Sequence, residues 1–323
     1  MTATANKSNE IRLFRVYDAP VKMVWDAWND PDQVAQWWGP RGFTTTTHSK
    51  ELKPGGIWHL TMHGPDGIAY VNKTKYLEVV PYSKMVYDHG GEDEQKPMFR
   101  VTVLFKEIDG KTHMDMTMAL PDAEAAENTR KIVKKHNGNS TWDRLAEYLE
   151  KRTRKKEVFF INRSFDAPLE LMFEVWTNPD HMARWTSPTG FTTKFIKADV
   201  RTGGEGFYSS SDASGKMTMY GKTKYLEITK PHRIVYTQQF ADEKGNVVRH
   251  PMSPTWPETM LTTVVLTAEG PHQTRVTLTW EPYDNPSPAE IETFTQARPG
   301  MTGGWTGSFD KLDEYLEQQG VKA

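Results

Sequence analysis

Cysteine is absent from the 323 residues of this chain, which excludes disulfides, thiolate metal centres and thiol nucleophiles outright. Neither sign of charge dominates. Forty Lys and Arg against 42 Asp and Glu leave a net charge of -2, which speaks for a mixed surface and against nucleic acid as a partner. No run approaches the ~18 apolar residues of a membrane span, and the polar stretch Met1 to Asn9 lacks the apolar core of a secretory signal. The expectation is a cytoplasmic protein without membrane insertion, in which the glycosylation-type tripeptides at Asn72, Asn139 and Asn162 are chance matches. Phosphate-loop, nucleophile-elbow, zinc-protease and dinucleotide patterns are missing too, so no cofactor is implied.

What is present is repetition. Arg-Val-Tyr-Asp-Ala-Pro at Arg15 to Pro20 returns as Arg-Ser-Phe-Asp-Ala-Pro at Arg163 to Pro168. In the same register Asp30-Pro31-Asp32 meets Asn178-Pro179-Asp180, Trp37 meets Trp185, and Gly42-Phe43-Thr44-Thr45 meets Gly190-Phe191-Thr192-Thr193. Lys73 to Glu78 recurs as Lys222 to Glu227, and Glu147 to Glu150 as Glu314 to Glu317. A period of about one domain length argues for duplication of a whole fold rather than a solenoid. The domains are expected at 1–151 and 158–323, joined by a basic linker at 152–157.

Each copy reads as an α+β unit. It opens on an alternating strand carrying Ile11, Leu13 and Tyr17, or Phe159, Ile161 and Phe165. A helix follows, with Val21, Val24, Trp25 and Trp28, or Leu169, Met172, Phe173 and Trp176, on one face. Asp30-Pro31 and Asn178-Pro179 then cap a second short helix ending near Trp37 and Trp185. Period-two segments broken by Gly-rich turns predict a mainly antiparallel sheet. Met114, Met116 and Met118, or Val276, Leu278 and Trp280, mark the apolar face of its last strand. A closing helix carries Trp142, Leu145 and Leu149, or Phe309, Leu312 and Leu316.

Sites of chemistry are sparse. Gly203-Gly204-Glu205-Gly206 aligns with Gly55-Gly56 and is expected to be a turn. His59 and His63 share a strand face, but no third ligand is nearby and the second copy has Phe207 and Ser211 there, so no metal site is expected. Arg15 and Arg163 sit on the apolar face of the first strand and must pair; a buried ion pair is the favoured reading, a ligand anion the other. Sixteen positions separate Val86 from Thr102, but 28 separate Val235 from Thr263. The extra residues, within 241–257, carry Pro251, Pro254, Trp256 and Pro257, and read either as a lid over a cavity or as a surface packed on the other domain.

The order of elements, with Asp-Ala-Pro before the first helix, Trp-Trp-Gly-Pro-Arg-Gly-Phe at Trp37 to Phe43 and Gly-Gly entering the next hairpin, resembles the START-like (SRPBCC) superfamily, in the branch named for the activator of the heat-shock chaperone ATPase. The second copy departs from the motif at Thr186 and Ser187, the first at Asn137-Gly138, where the second has Gly304-Trp305. The resemblance implies tandem helix-grip (Bet v-like) domains, each a curved antiparallel sheet wrapped around a long C-terminal helix, enclosing a space that is either filled or left for a ligand. The expected function is non-catalytic binding of small apolar ligands, in a stress or chaperone context. The alternatives are a polyketide cyclase or aromatase type of enzyme, with His136, Tyr76 or Tyr225 as polar cavity groups, and a co-chaperone module with filled cavities. The asparagine- and tryptophan-rich stimulatory segment of the family's namesake has no counterpart here. Candidates for the cavity walls are Trp37, Trp38, Phe43, Trp58, Met114, Met116, His136 and Trp142 in the first copy, and Trp185, Phe191, Phe207, Trp256, Leu278, Trp280, Trp305 and Phe309 in the second.

Overall fold

The protein is known from a computed structural model, which describes residues 8–90, 97–135, 138–153, 158–187 and 189–319. The chain separates into two compact units, Met1–Thr153 and Arg154–Ala323. In the first, strand β1 (Glu10–Tyr17) leads into helices α1 (Val21–Asn29) and α2 (Pro31–Val34). Strands β2 (Thr44–Lys50), β3 (Ile57–His63), β4 (Ala69–Val80), β5 (Lys84–Gly90), β6 (Phe99–Ile108) and β7 (Lys111–Ala119) follow, then α3 (Ala123–Lys135) and α4 (Ser140–Thr153).

The second unit repeats the plan. It runs β8 (Phe159–Phe165), α5 (Leu169–Thr177), α6 (Pro179–Trp185), β9 (Phe191–Ala198), β10 (Glu205–Asp212), β11 (Thr218–Thr229), β12 (Arg233–Ala241), β13 (Thr259–Gly270), β14 (Gln273–Tyr283) and α7 (Pro288–Gln318). Each unit has a seven-stranded antiparallel sheet, in the orders β1-β7-β6-β5-β4-β3-β2 and β8-β14-β13-β12-β11-β10-β9. This is the α+β helix-grip architecture, twice over.

Local chemistry accounts for the elements. Asp30 accepts from the amides of Asp32 and Gln33 at 3.0 and 2.9 Å, and Asn178 accepts from that of Asp180 at 3.0 Å, so the residue before each proline caps the short helix that follows. The first short helix stops at Val34, earlier than the Trp37 expected, whereas the second reaches Trp185. Register shifts fall between Tyr76 and Glu78 and again between Tyr225 and Glu227. Such bulges bend a strand, and this one recurs at the same place in both copies.

The closing helix is where the copies part. In the second unit α7 is continuous and opens on a capping box between Ser287 and Glu290. In the first, the Gly138 amide donates to the Val133 carbonyl at 2.7 Å beyond the end of α3, and the chain is helical again from Ser140 as α4. One closing helix was expected there; two are found.

Candidate functional site

Two devices hold the same corner in both units. The Trp37 indole is buried and donates to the Ala27 carbonyl at 2.9 Å; its counterpart Trp185 donates to that of Val175 at 3.2 Å. The loop after each indole is then tied by a cation from the closing helix. Arg144 Nη1 donates to the carbonyls of Gly39, Pro40 and Phe43 at 2.7 to 3.1 Å, and Lys311 Nζ to those of Ser187 and Phe191 at 2.9 and 3.0 Å. Burial lowers the pKa of both cations. The first unit adds a bidentate pair from Arg41 to Glu147, at 3.0 and 2.5 Å. Thr189 and Glu314 occupy those places in the second.

Between sheet and helix, the first unit is filled with indoles. Trp28, Trp37 and Trp58 are buried, and Trp38 packs on the same cluster. Ring centroids lie 4.9 Å apart for Trp38 and Trp58, 5.9 Å for Trp38 and Trp142, and 5.3 Å for the stacked Trp28 and Trp142. Lys50 completes the fill: its Nζ donates to the Trp28 carbonyl at 3.0 Å and lies 3.7 Å from the centre of the Trp58 ring. Burial holds its pKa well below the ordinary lysine value.

The sheet register shows what stands in those places in the second unit. Trp58 faces Lys50 and Thr74 across its two neighbouring strands; Gly206 faces Ala198 and Thr223. The position of Trp38 is taken by Thr186. Two indoles and a lysine have thus become glycine, threonine and alanine, and a cavity of about 340 Å³ lies among Trp176, Trp185, Thr186, Met260, Met301 and Trp305.

Polar groups converge on one wall of this cavity. Tyr208, Thr223, Tyr225, Tyr236 and Gln238 all line it. Gly221 is what seats the first of them: a Cβ at 221 would overlap the Tyr208 ring, so only glycine lets that phenol lie across β11. Thr262 Oγ1 donates to Gln238 Oε1 at 3.0 Å, and Gln238 Nε2 donates to Tyr208 Oη at 3.4 Å. Burial raises the pKa of all three tyrosines, that of Tyr225 to about 12, so the phenols stay neutral.

The extra residues between β12 and β13 close over the same space. Trp256, Pro257 and Glu258 line the cavity. Arg249 pairs with Glu290 in the first turn of α7 and lies 3.5 Å from Glu258. Thr293 and Thr255 share a hydroxyl contact of 2.9 Å. The Ser287 amide and Arg249 together hold the Glu290 carboxyl down to about 2.

The sequence candidates sort accordingly. Trp185, Trp256, Trp280 and Trp305 are on the cavity walls. Leu278 and Phe309 belong to the solid core, both fully buried. Phe207 stacks on Tyr220 at 5.9 Å, because strand alternation turns Gly206 and Tyr208 inward and Phe207 away. Phe191 is half-buried at the start of β9. In the first unit Trp37, Trp58, Met114, Met116 and Trp142 are core, with Trp38 packed on them. Phe43 is half-buried, 5.9 Å from Tyr70. His136 lies outside the described residues.

Other candidates are structural. Arg163 donates to Asp310 and Asp313 of α7 at 2.7 and 3.0 Å, tying β8 to the helix. His63 contacts the Thr46 hydroxyl at 3.1 Å, and His59 rests on His48 with centroids 4.7 Å apart. Among the described residues no group of three or more potential ligands is gathered that could hold a metal. Nor is any described helix long and apolar enough to cross a membrane. Sequence reasoning missed Tyr208, Gly221 and Gln238. The signal for the glycine was present, since Asn72 holds that place in the first copy and Asn-to-Gly at a strand interior invites a close approach.

A doubled sheet-and-helix unit, with a polar-walled cavity under the sheet in its second copy, defines a tandem START-like protein. The chain belongs to the family described as activator of Hsp90 ATPase homolog 1-like protein, whose model matches residues 18–150 and 166–317. No curated protein matches it. Similar solved structures include a protein from Nitrosomonas europaea, 19% identical over 45% of this chain and 96% of that one, TM-score 0.41. Another is the AHSA1 protein from Silicibacter pomeroyi, 15% identical over 50% and 99%, TM-score 0.39. A third is the di-domain ARO/CYC BexL from the BE-7585A biosynthetic pathway, 11% identical over 95% and 98%, TM-score 0.38.

Proposed function

We propose that the second unit binds one small apolar molecule in its cavity, and that the first unit, its corresponding space packed with its own indoles, serves as a filled companion domain. The observation that carries this is the exchange of Trp38 and Trp58 for Thr186 and Gly206 at matching positions of the two copies, the first in the loop after the second short helix and the second in the sheet. A folded domain gives up dispersion contacts and buried area when it leaves such a space open, so an open space lined by Trp, Met and Tyr is a place kept for something else. At about 340 Å³ it falls within the usual range of ligand sites, roughly 300–1,000 Å³. None of its polar groups makes up a nucleophile with a base, which favours binding over catalysis.

The test is to fill the space. Titration of the full-length chain with the neutral fluorescent probe N-phenyl-1-naphthylamine is expected to saturate at one site, and Thr186→Trp, which restores the residue of the first unit, to abolish that binding while the protein remains folded by circular dichroism. Absence of saturable binding to the wild type, or binding indifferent to both Thr186→Trp and Gly206→Trp, would overturn the reading.

A further inference from the structure

We infer that the ligand is a neutral molecule with an apolar body and a carbonyl group, seated by paired hydrogen bonds from the Tyr208 and Tyr225 hydroxyls. This rests on the second-unit cavity being a ligand site and specifies what that site selects.

The polarity of the wall is set one bond at a time. Gln238 has a carbonyl and an amide end. Thr262 Oγ1 donates to the carbonyl end at 3.0 Å, which leaves the amide end to donate to Tyr208 Oη at 3.4 Å. A phenol oxygen already accepting has its own proton to give, so Tyr208 is presented as a donor. Tyr225 is only 3% exposed and lines the same cavity. Its hydroxyl has no hydrogen-bond partner among the described residues, and the two phenols stand on the paired strands β10 and β11, Tyr208 lying across β11 at Gly221, and line one cavity. A phenol that faces a cavity without a protein partner has its proton free for whatever occupies the space. A ligand oxygen between the two phenols can accept from both, and a carbonyl, with two lone pairs, fits two donors at once.

Charge settles the rest. Among the described residues the cavity walls carry no Lys, Arg or His, and the one carboxylate, Glu258, belongs to an exposed residue 3.5 Å from Arg249. A carboxylate ligand would enter without a counter-ion, which a buried site tolerates poorly. The apolar body has Trp256, Trp280, Met260, Met301 and Trp305 to pack against. In the first unit the counterparts of Tyr208 and Gln238 are Leu60 and His89, and the donor pair does not exist there.

The experiment uses 2-acetylnaphthalene and its isostere 2-isopropenylnaphthalene, in which a methylene replaces the carbonyl oxygen, with the full-length chain. Calorimetry is expected to show that Tyr208→Phe and Tyr225→Phe each lower the ketone-to-alkene affinity ratio about fivefold, the worth of one neutral hydrogen bond. The alkene affinity reports in each variant that the cavity is intact. In the wild type the bound ketone's carbonyl stretch moves to lower frequency than in hexane. An unchanged ratio in both variants, or tighter binding of 2-naphthoate than of the ketone, would overturn the inference while leaving the cavity a ligand site. Binding of neither probe would overturn both.

Discussion

At the scale of single residues, the two copies show how one position can be spent on packing or on space. His89 is the clearest case outside the cavity. In the first unit it occupies the place of Gln238, receives or gives a hydrogen bond with Thr74 Oγ1 at 3.0 Å, and stacks on Phe99 with centroids 5.0 Å apart. Burial disfavours its charged form and lowers its pKa from 6.5 to about 4. The unfolded chain therefore takes up a proton, as pH falls below about 6.5, that the folded unit refuses until about 4, and stability declines across that window. At about 1.4 kcal/mol per pH unit, the loss at pH 5 is about 2 kcal/mol. Hydrogen exchange of the β5 and β6 amides in the full-length chain, corrected for intrinsic rates, should show this loss between pH 7 and pH 5. His89→Gln, which installs the second unit's residue, should flatten it; an equal slope in the variant would exclude His89 as the titrating group.

At the scale of elements, the closing helix anchors the segments that surround the site. It holds the loop after Trp185 through Lys311, the first strand through Asp310 and Asp313, and the second short helix through a 2.6 Å contact of Tyr315 with His181. The excursion over the cavity depends on the same helix, through Arg249 to Glu290 and Thr255 to Thr293. Arg249 is half-exposed, so its pairs contribute modestly to stability. Their effect should fall on opening instead. Arg249→Ala is expected to raise the dissociation rate of N-phenyl-1-naphthylamine several-fold, with a melting temperature close to that of wild type. Stopped-flow displacement measures the first and calorimetry the second. An unchanged rate would mean that ligand leaves by another wall.

At the scale of the molecule, the duplicated scaffold was legible and the division between its copies was not. Strand parity, the Asp-Pro and Asn-Pro caps and the turn glycines are local signals, and each appears in the structure where its residues stand. The break of the first closing helix had a local signal as well, in Asn137-Gly138, though only the hydrogen bond from Gly138 to Val133 shows what it does. The cavity needed non-local information. The repeat already sets Gly206 against Trp58 and Thr186 against Trp38; that these positions face one space, and that Tyr208 lies over Gly221, are facts of cross-strand register and side-chain direction, which aligned letters alone do not give. Arg144 and Lys311 were likewise invisible, because their partners are backbone carbonyls more than 100 residues away. The consequence of this asymmetry is thermodynamic. A ligand that binds only the second unit adds its binding free energy to that unit's unfolding and to no other, about 2.7 kcal/mol at a hundredfold excess over Kd. Hydrogen exchange of the full-length chain with saturating 2-acetylnaphthalene should therefore slow the core amides of β10 to β14 by about a hundredfold and leave those of β3 to β7 unmoved. Equal protection of both sheets would mean either that the first unit also takes ligand or that the two unfold as one, and Thr186→Trp separates these, since it would leave protection in the first case and remove it in the second.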